Sequence, residues 1–437
     1  MGANNSSALP ALPGSSDSDR CWKCDLEWVE RREKVPGTRP GSSVEKLIRV
    51  GSPIAASFQN DVLSNDLAIV YAVHFEEATQ RHFLIVVEID DKKELWEHSF
   101  LDRGIRKLLR EGSSVFFVPL SAVEEAKLGQ PLKDGRIAMN VIYNTGRCGS
   151  TLMHKMLYAS GVASFSEPHW CDQLANMAKK KGADVTALLK ACWFLDISLS
   201  RRNIFKDAKI FSLNPKAFGQ TLIKHALDIE AAVPTRYMFM YRAAPKVVES
   251  FGSIFSSRLS PFETLTLNAV SWTSFGIHAA MKAPFRGALE EKKDLVREGL
   301  PSHPIAAMLT RMWIEAVQGF LDAQEDFADS ELAKGKALVL RMDEYVTKDL
   351  VKREETVKGV LRHVGIKASK DTLASALAVF NVHSQKGSNM STTQRKKFLD
   401  PRDEQKIADC ARNAIVSEYI VHEKDGNFFI DAPLASA

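Results

Sequence analysis

The residues of this 437-residue chain whose types and spacing best suit chemistry run from Asn144 to Thr151, in the order Asn-Thr-Gly-Arg-Cys-Gly-Ser-Thr. They have the features of an anion cradle. Gly146 and Gly149 allow the backbone to turn tightly and approach an anion. A helix starting near Ser150 would aim unpaired N–H groups and its positive dipole end at that anion. Ser150 and Thr151 add hydroxyl donors, and Arg147 adds a forked cation. The spacing is not that of a nucleotide-triphosphate loop, GxxxxGK[ST]: the glycines are three apart, and Gly149 stands where the lysine would be. Nor is it the dinucleotide pattern GxGxxG. Taken alone, a Gly-x-x-Gly turn fits a plain strand-to-helix corner as well as it fits a binding site.

A second segment, Arg236 to Phe255, repeats the strand–turn–helix pattern. Tyr237 to Tyr241 is an apolar run suited to a strand buried on both faces. Arg242 closes it, Pro245 suits a first helical turn, and Ser250 follows eight residues after Arg242. An Arg at a strand end with a Ser two turns later can converge on a second phosphate. Glu167 follows a short strand near 162–165 and precedes Pro168. It suits a general base, and equally a cap for a helix starting near His169. His169 reads as structural, Cys148 as a small loop filler without a paired base, and Trp313 as core.

Together these segments resemble the sulfotransferases that use 3′-phosphoadenosine 5′-phosphosulfate (PAPS). In that family a [KR]-x-G-[ST]-[ST] loop grips the 5′-phosphosulfate, matched here by Arg147-Cys148-Gly149-Ser150-Thr151. A later R-x7-S grips the 3′-phosphate, matched by Arg242 and Ser250. The stretch Phe165 to Trp170, FSEPHW, is similar to the carbohydrate and tyrosyl branch, in which a Glu after the second strand serves as base. Weaker echoes are Ala337 to Asp349 and the basic glycine loop Ser384 to Ser388, which contributes Lys386 and Gly387 as cofactor contacts. The cytosolic branch carries a catalytic His near the strand at 209–213; this chain has none there, which leaves Glu167 as the implied base. Lys209 or Lys216 would steer the sulfuryl group.

The resemblance implies an α/β, P-loop-like three-layer fold with a central parallel sheet, and a PAPS-dependent sulfotransferase. Catalysis would fall to Glu167 and Arg147. Gly146, Arg147, Cys148, Gly149, Ser150, Thr151, Arg242, Ser250, Lys386 and Gly387 would bind the cofactor. The acceptor would be a small molecule or carbohydrate bearing a hydroxyl or amine, and no metal is expected. The alternatives are a P-loop kinase or nucleotide hydrolase, and a non-catalytic nucleotide-binding protein of the same fold.

These residues need a scaffold, and the chain shows one. From 137 onward strands near 138–143, 162–165, 209–213, 237–241 and 337–342 alternate with helices near 150–160, 171–195, 216–230, 246–256, 305–328 and 350–364. That alternation predicts a parallel sheet, with ligands at the carboxyl ends of its strands. Residues 262–298 read as an acceptor-binding insert. Residues 46–132 read as a separate β-rich accessory unit carrying no chemistry, with strands at 66–75, 82–89 and 115–118 and a helix at 100–110. Residues 1–45 are rich in Ser, Pro, Gly and charge and read as disordered. The domains are then 1–45, 46–132 and 133–437.

Composition excludes several classes. Hydrophobic content of 45% and charged content of 26% are ordinary globular values, and a net charge of +4 is too small to argue for nucleic acid. No apolar run reaches transmembrane length, and no secretory signal is expected. Six scattered cysteines do not make a disulfide framework; Cys21 and Cys24 read as two thiols in a mobile region. A cytoplasmic setting follows. Met1-Gly2-Ala3-Asn4-Asn5-Ser6 fits the myristoylation pattern, a weak lipid anchor at Gly2.

Overall fold

The computed structural model describes residues 9, 12, 20–30, 47–77, 80–129, 137–179, 183–202, 204–216, 219–230, 235–256, 304–329, 337–381, 397–414, 421–424 and 427–430. The proposed insert at 262–298 and the loop bearing Lys386 and Gly387 lie outside these residues. By their contacts the residues fall into two compact units. The first comprises Met1–Val141, Thr151–Arg236 and Val364–Ser384; the second comprises Ile142–Ser150, Tyr237–His363 and Gln385–Ala437.

The first unit contains an antiparallel sheet built from β1 (Cys21–Val29), β2 (Ile48–Val50), β3 (Ile54–Ala56), β4 (Ala68–Glu76), β5 (Arg81–Glu88) and β6 (Ser114–Pro119). Its order is β2-β1-β6-β5-β4, with β3 also pairing with β1. β4 to β6 are the near-continuous apolar runs AIVYAVHFE, RHFLIVVE and SVFFVP, as a sheet covered on both faces requires. β1 lies where the sequence suggested disorder. Trp22 pairs with Phe117 and Cys24 with Val115 on β6, so long-range pairing orders it despite weak local signals. Cys21 and Cys24 are therefore buried free thiols on a strand, not a mobile pair, and burial pushes them up to about 12 and about 11.

β4 ends that sheet, and its outer edge is closed by side chains from far along the chain. Gln173, on the helix His169–Ala178, mimics a neighbouring strand: its Oε1 accepts from Val73 N at 2.7 Å and its Nε2 donates to Val73 O at 3.0 Å. Asp196, on the helix Thr186–Arg201, accepts from Val70 N and from Trp170 Nε1, both at 2.9 Å. An edge strand must be paired or covered, and here buried amide and carboxylate groups do it. The N-terminal strands thus share one compact unit with residues 151–236, rather than standing apart as an accessory unit ending at 132.

The second sheet is parallel and has five strands. They are β7 (Ala138–Asn144), β8 (Ala163–Ser166), β9 (Ile210–Asn214), β10 (Thr235–Tyr241) and β11 (Ala337–Arg341), in the order β11-β10-β7-β9-β8. In the first unit Ala138–Val141 pairs with β9, and β9 pairs with β8. In the second, β10 pairs with β11 from Tyr237↔Ala337 to Tyr241↔Arg341. Phe239 of β10 stacks on Phe320 of the helix Pro304–Asp329 at 4.1 Å between ring centres. Every strand expected from the alternation after residue 137 is present within one or two residues. The helix expected over 171–195 is two helices, broken between Ala178 and Thr186. β12 (Val421–Lys424) and β13 (Asn427–Ile430) form a hairpin. No described helix is long and apolar enough to cross a membrane.

Candidate functional site

In the second unit β7 ends at Asn144, and the chain turns before the helix Ser150–Ala159. Two hydrogen bonds set the turn. Thr145 N donates to Met240 O at 3.1 Å, and Gly146 N donates to Asn144 Oδ1 at 2.9 Å. Three residues then take left-handed backbone: Gly146 at φ +75°, Arg147 at +53° and Gly149 at +87°. Space does not demand glycine at 149, because an added Cβ would find its nearest neighbours, Val346 and Tyr345, at 3.6–3.7 Å. The positive φ does. Arg147 pays for the same region with strain, which is uncommon without a local reason.

Arg147 Nε donates to Ser250 Oγ at 2.9 Å. Ser250 lies on the helix Ala244–Ser256, which begins just after Arg242 at the end of β10. Arg242 is held at its carbonyl by Trp313 Nε1 at 2.8 Å. Burial lowers the Arg242 pKa, opposed by Asp343 and Cys148 nearby. Its Nε is buried and, among the described residues, has no hydrogen-bond partner; the same holds for Oγ1 of Thr145, which is fully buried. Arg147, Cys148, Arg242 and Ser250 are thus gathered in one unit. Burial pushes the Cys148 thiol up to about 11, which does not suit a nucleophile and agrees with a loop filler. Ser150 and Thr151 are both buried in the helix's first turn.

The first unit holds a different constellation. Glu167 directly follows β8 and takes φ +52°, while its N donates to Asn214 O at 2.8 Å. It does not cap the next helix: the N-cap of His169–Ala178 is Pro168, with no side-chain cap bond. Burial pushes the Glu167 carboxyl up to about 7, with Lys216 and Arg103 pulling it down and Asp172 and Asp102 pushing it further up. Lys216 follows β9 and pairs with Asp172. Burial opposes its charge, but Asp172, Asp102 and Glu167 outweigh that and raise its pKa. Lys209, the other lysine considered, is exposed.

Asp102 lies at the centre of this cluster. Arg106 holds it bidentately, Nε to Oδ1 at 3.3 Å and Nη2 to Oδ2 at 3.1 Å, and Tyr71 Oη approaches Oδ1 at 3.4 Å. Burial disfavours its charge, but His169, Lys216 and Arg106 pull it down to about 2. His169 is buried and stacks on Tyr71 at 5.4 Å. The segment 46–132 therefore does carry chemistry-bearing groups, contrary to the sequence reading. The Asp102–Arg106 pair stood at i, i+4 in a helix that periodicity already predicted, and that spacing could have flagged it. Asp172 and Tyr71 gave no local signal.

The first arrangement offers fixed donors to an anion; the second offers a carboxylate able to exchange a proton near neutrality beside a fixed cation. Among the described residues, no group of three or more His, Cys, Asp or Glu side chains could hold a metal ion. No family model and no curated protein matches the chain. Among solved structures, a mouse sulfotransferase, SULT7A1 complexed with PAP, aligns with 69% of this chain and 84% of its own, at 11% identity and a TM-score of 0.28. A likeness at that level decides neither fold nor function.

Proposed function

We propose that this chain is a PAPS-dependent sulfotransferase of P-loop-like fold, transferring a sulfuryl group to the hydroxyl or amine of a small acceptor. The observation that carries the reading is the turn after β7: three successive left-handed positions at 146, 147 and 149, a helix start, and Arg147 and Arg242 within one unit. The unpartnered Thr145 Oγ1 and Arg242 Nε are groups a bound anion would satisfy.

In this reading Gly146 to Thr151 hold the 5′-phosphosulfate through Arg147, the two hydroxyls and backbone N–H groups. Arg242 takes the 3′-phosphate and so sets selectivity against plain adenine nucleotides. The bound cofactor would supply an activated sulfuryl group: a bond forms from the acceptor oxygen or nitrogen to sulfur as the sulfur–oxygen bond to the phosphate breaks. Glu167 accepts the acceptor's proton; with a carboxyl near 7 it is partly ionised at neutral pH, where a base can both take and release a proton. Lys216 keeps a positive charge in the same unit, available to the sulfuryl oxygens.

Calorimetric titration of adenosine 3′,5′-bisphosphate against ATP, on the wild type and on Arg242→Ala, tests this. The bisphosphate should bind better, and the substitution should shrink that preference by about 1.5–3 kcal/mol, the range for hydrogen bonds to charged groups. Equal binding of the two nucleotides to the wild type defeats the assignment.

A further inference from the structure

We propose that Ser250 is a positioning residue that acts through Arg147, fixing the guanidinium that meets the 5′-terminal anion, and is not a ligand of the 3′-phosphate. The inference rests on the preceding reading of the turn as a nucleotide-anion site. Its basis is the bond from Arg147 Nε to Ser250 Oγ at 2.9 Å, made across 103 positions of sequence.

A bond at Nε restrains rotation about the last side-chain torsion, and so sets the plane in which both Nη groups lie. The restraint is useful only if Ser250 itself cannot move, and the helix Ala244–Ser256 is pinned on either side of it. The preceding residue, Glu249, accepts from Phe398 N at 2.9 Å through Oε1 and from Leu399 N at 2.7 Å through Oε2. Two residues further on, Gly252 lies so close to the Phe398 ring that a Cβ there would overlap it. The other end of the bond is fixed as firmly. Arg147 sits at φ +53° between Gly146 and Cys148, in a turn tied to Met240 O and Asn144 Oδ1. A rigid serine thus meets a strained arginine. Such strain persists only where its surroundings hold it in place, and a preset guanidinium loses less freedom when an anion arrives.

The alternative gives Ser250 to the 3′-phosphate alongside Arg242. Two probes separate the roles: adenosine 5′-phosphosulfate, which lacks the 3′-phosphate, and adenosine 3′,5′-bisphosphate. Ser250→Ala should weaken both by the same factor, roughly tenfold, as expected for one lost hydrogen bond to a charged group. Ser250→Thr, which keeps the hydroxyl, should restore most of it. In an Arg147→Lys background, where no Nε exists, Ser250→Ala should change neither affinity further. A loss confined to the 3′,5′-bisphosphate overturns the proposal, as does an equal Ser250→Ala loss in the Arg147→Lys background. If the wild type binds the bisphosphate no better than ATP, the sulfotransferase reading falls, and inorganic pyrophosphate then serves as probe. Weaker pyrophosphate binding by Ser250→Ala, with an unchanged melting temperature, still supports the Arg147–Ser250 role; unchanged binding overturns it.

Discussion

Titrating Glu167 offers the sharpest check on the proton-transfer half of the reading. An ordinary glutamate ionises near 4.5, whereas burial pushes this one up to about 7 against the pull of Lys216 and Arg103. With a midpoint at 7, roughly one carboxyl in ten is ionised at pH 6 and one in a hundred at pH 5. Carbon-13 NMR of glutamate-labelled protein would follow the carboxyl directly, with Glu167→Gln identifying its resonance. Hydrolysis of PAPS, in which water replaces the unidentified acceptor, gives a functional readout. Its rate should rise about tenfold per pH unit below 7 and level off above, and the slope should vanish in Glu167→Gln. Linkage gives a second consequence. A carboxyl raised in the folded state contributes stability that is full below about 4.5 and is lost as pH rises through 7. Glu167→Gln should therefore be more stable than wild type at pH 8, by up to about 3 kcal/mol and less where solvent screens the charge. A Glu167 midpoint below 5, or a variant no more stable at pH 8, would refute the reasoning.

Three further outcomes are expected. Lys216→Met strands Asp172 in a buried setting and should cost about 3–5 kcal/mol in urea unfolding, most of it recovered in the Lys216→Met, Asp172→Asn double variant. Asp102, pulled down to about 2, contributes stability present above about 3.8 and lost as pH falls through 2; Asp102→Asn should remove about 2 kcal/mol at pH 7 and flatten the acid limb of the melting curve. Gly149→Ala has room for its methyl group but not the backbone angle, so it should cost about 1–2 kcal/mol by thermal melting, and a neutral effect would count against the turn as drawn.

The turn was readable because its demands are local. Glycines at 146 and 149, where the chain takes positive φ, and a strand–helix junction at Ser150 are written in consecutive residues. The parallel strands were readable for a similar reason, since β7 to β11 are short apolar runs separated by helical periodicity. β1 was missed because nothing local marks it; its order comes from pairing with β6, some ninety residues away. The choice between base and cap at Glu167 also lay beyond local pattern, since it turned on Pro168 serving as the N-cap.

The amino-acid sequence by itself determined the backbone chemistry of this protein: where it must turn left-handed, where strands give way to helices, and that Arg147 and Arg242 each follow a strand end. Tertiary structure alone decided the company those residues keep. It set Ser250 against Arg147, gathered Tyr71, Asp102, Arg106, Asp172 and Lys216 into one buried charge cluster, and closed the edge of β4 with Gln173 and Asp196. Hydrogen bonds and Coulomb interactions act through space, and burial sets their strength, so their partners and magnitudes are properties of the folded chain.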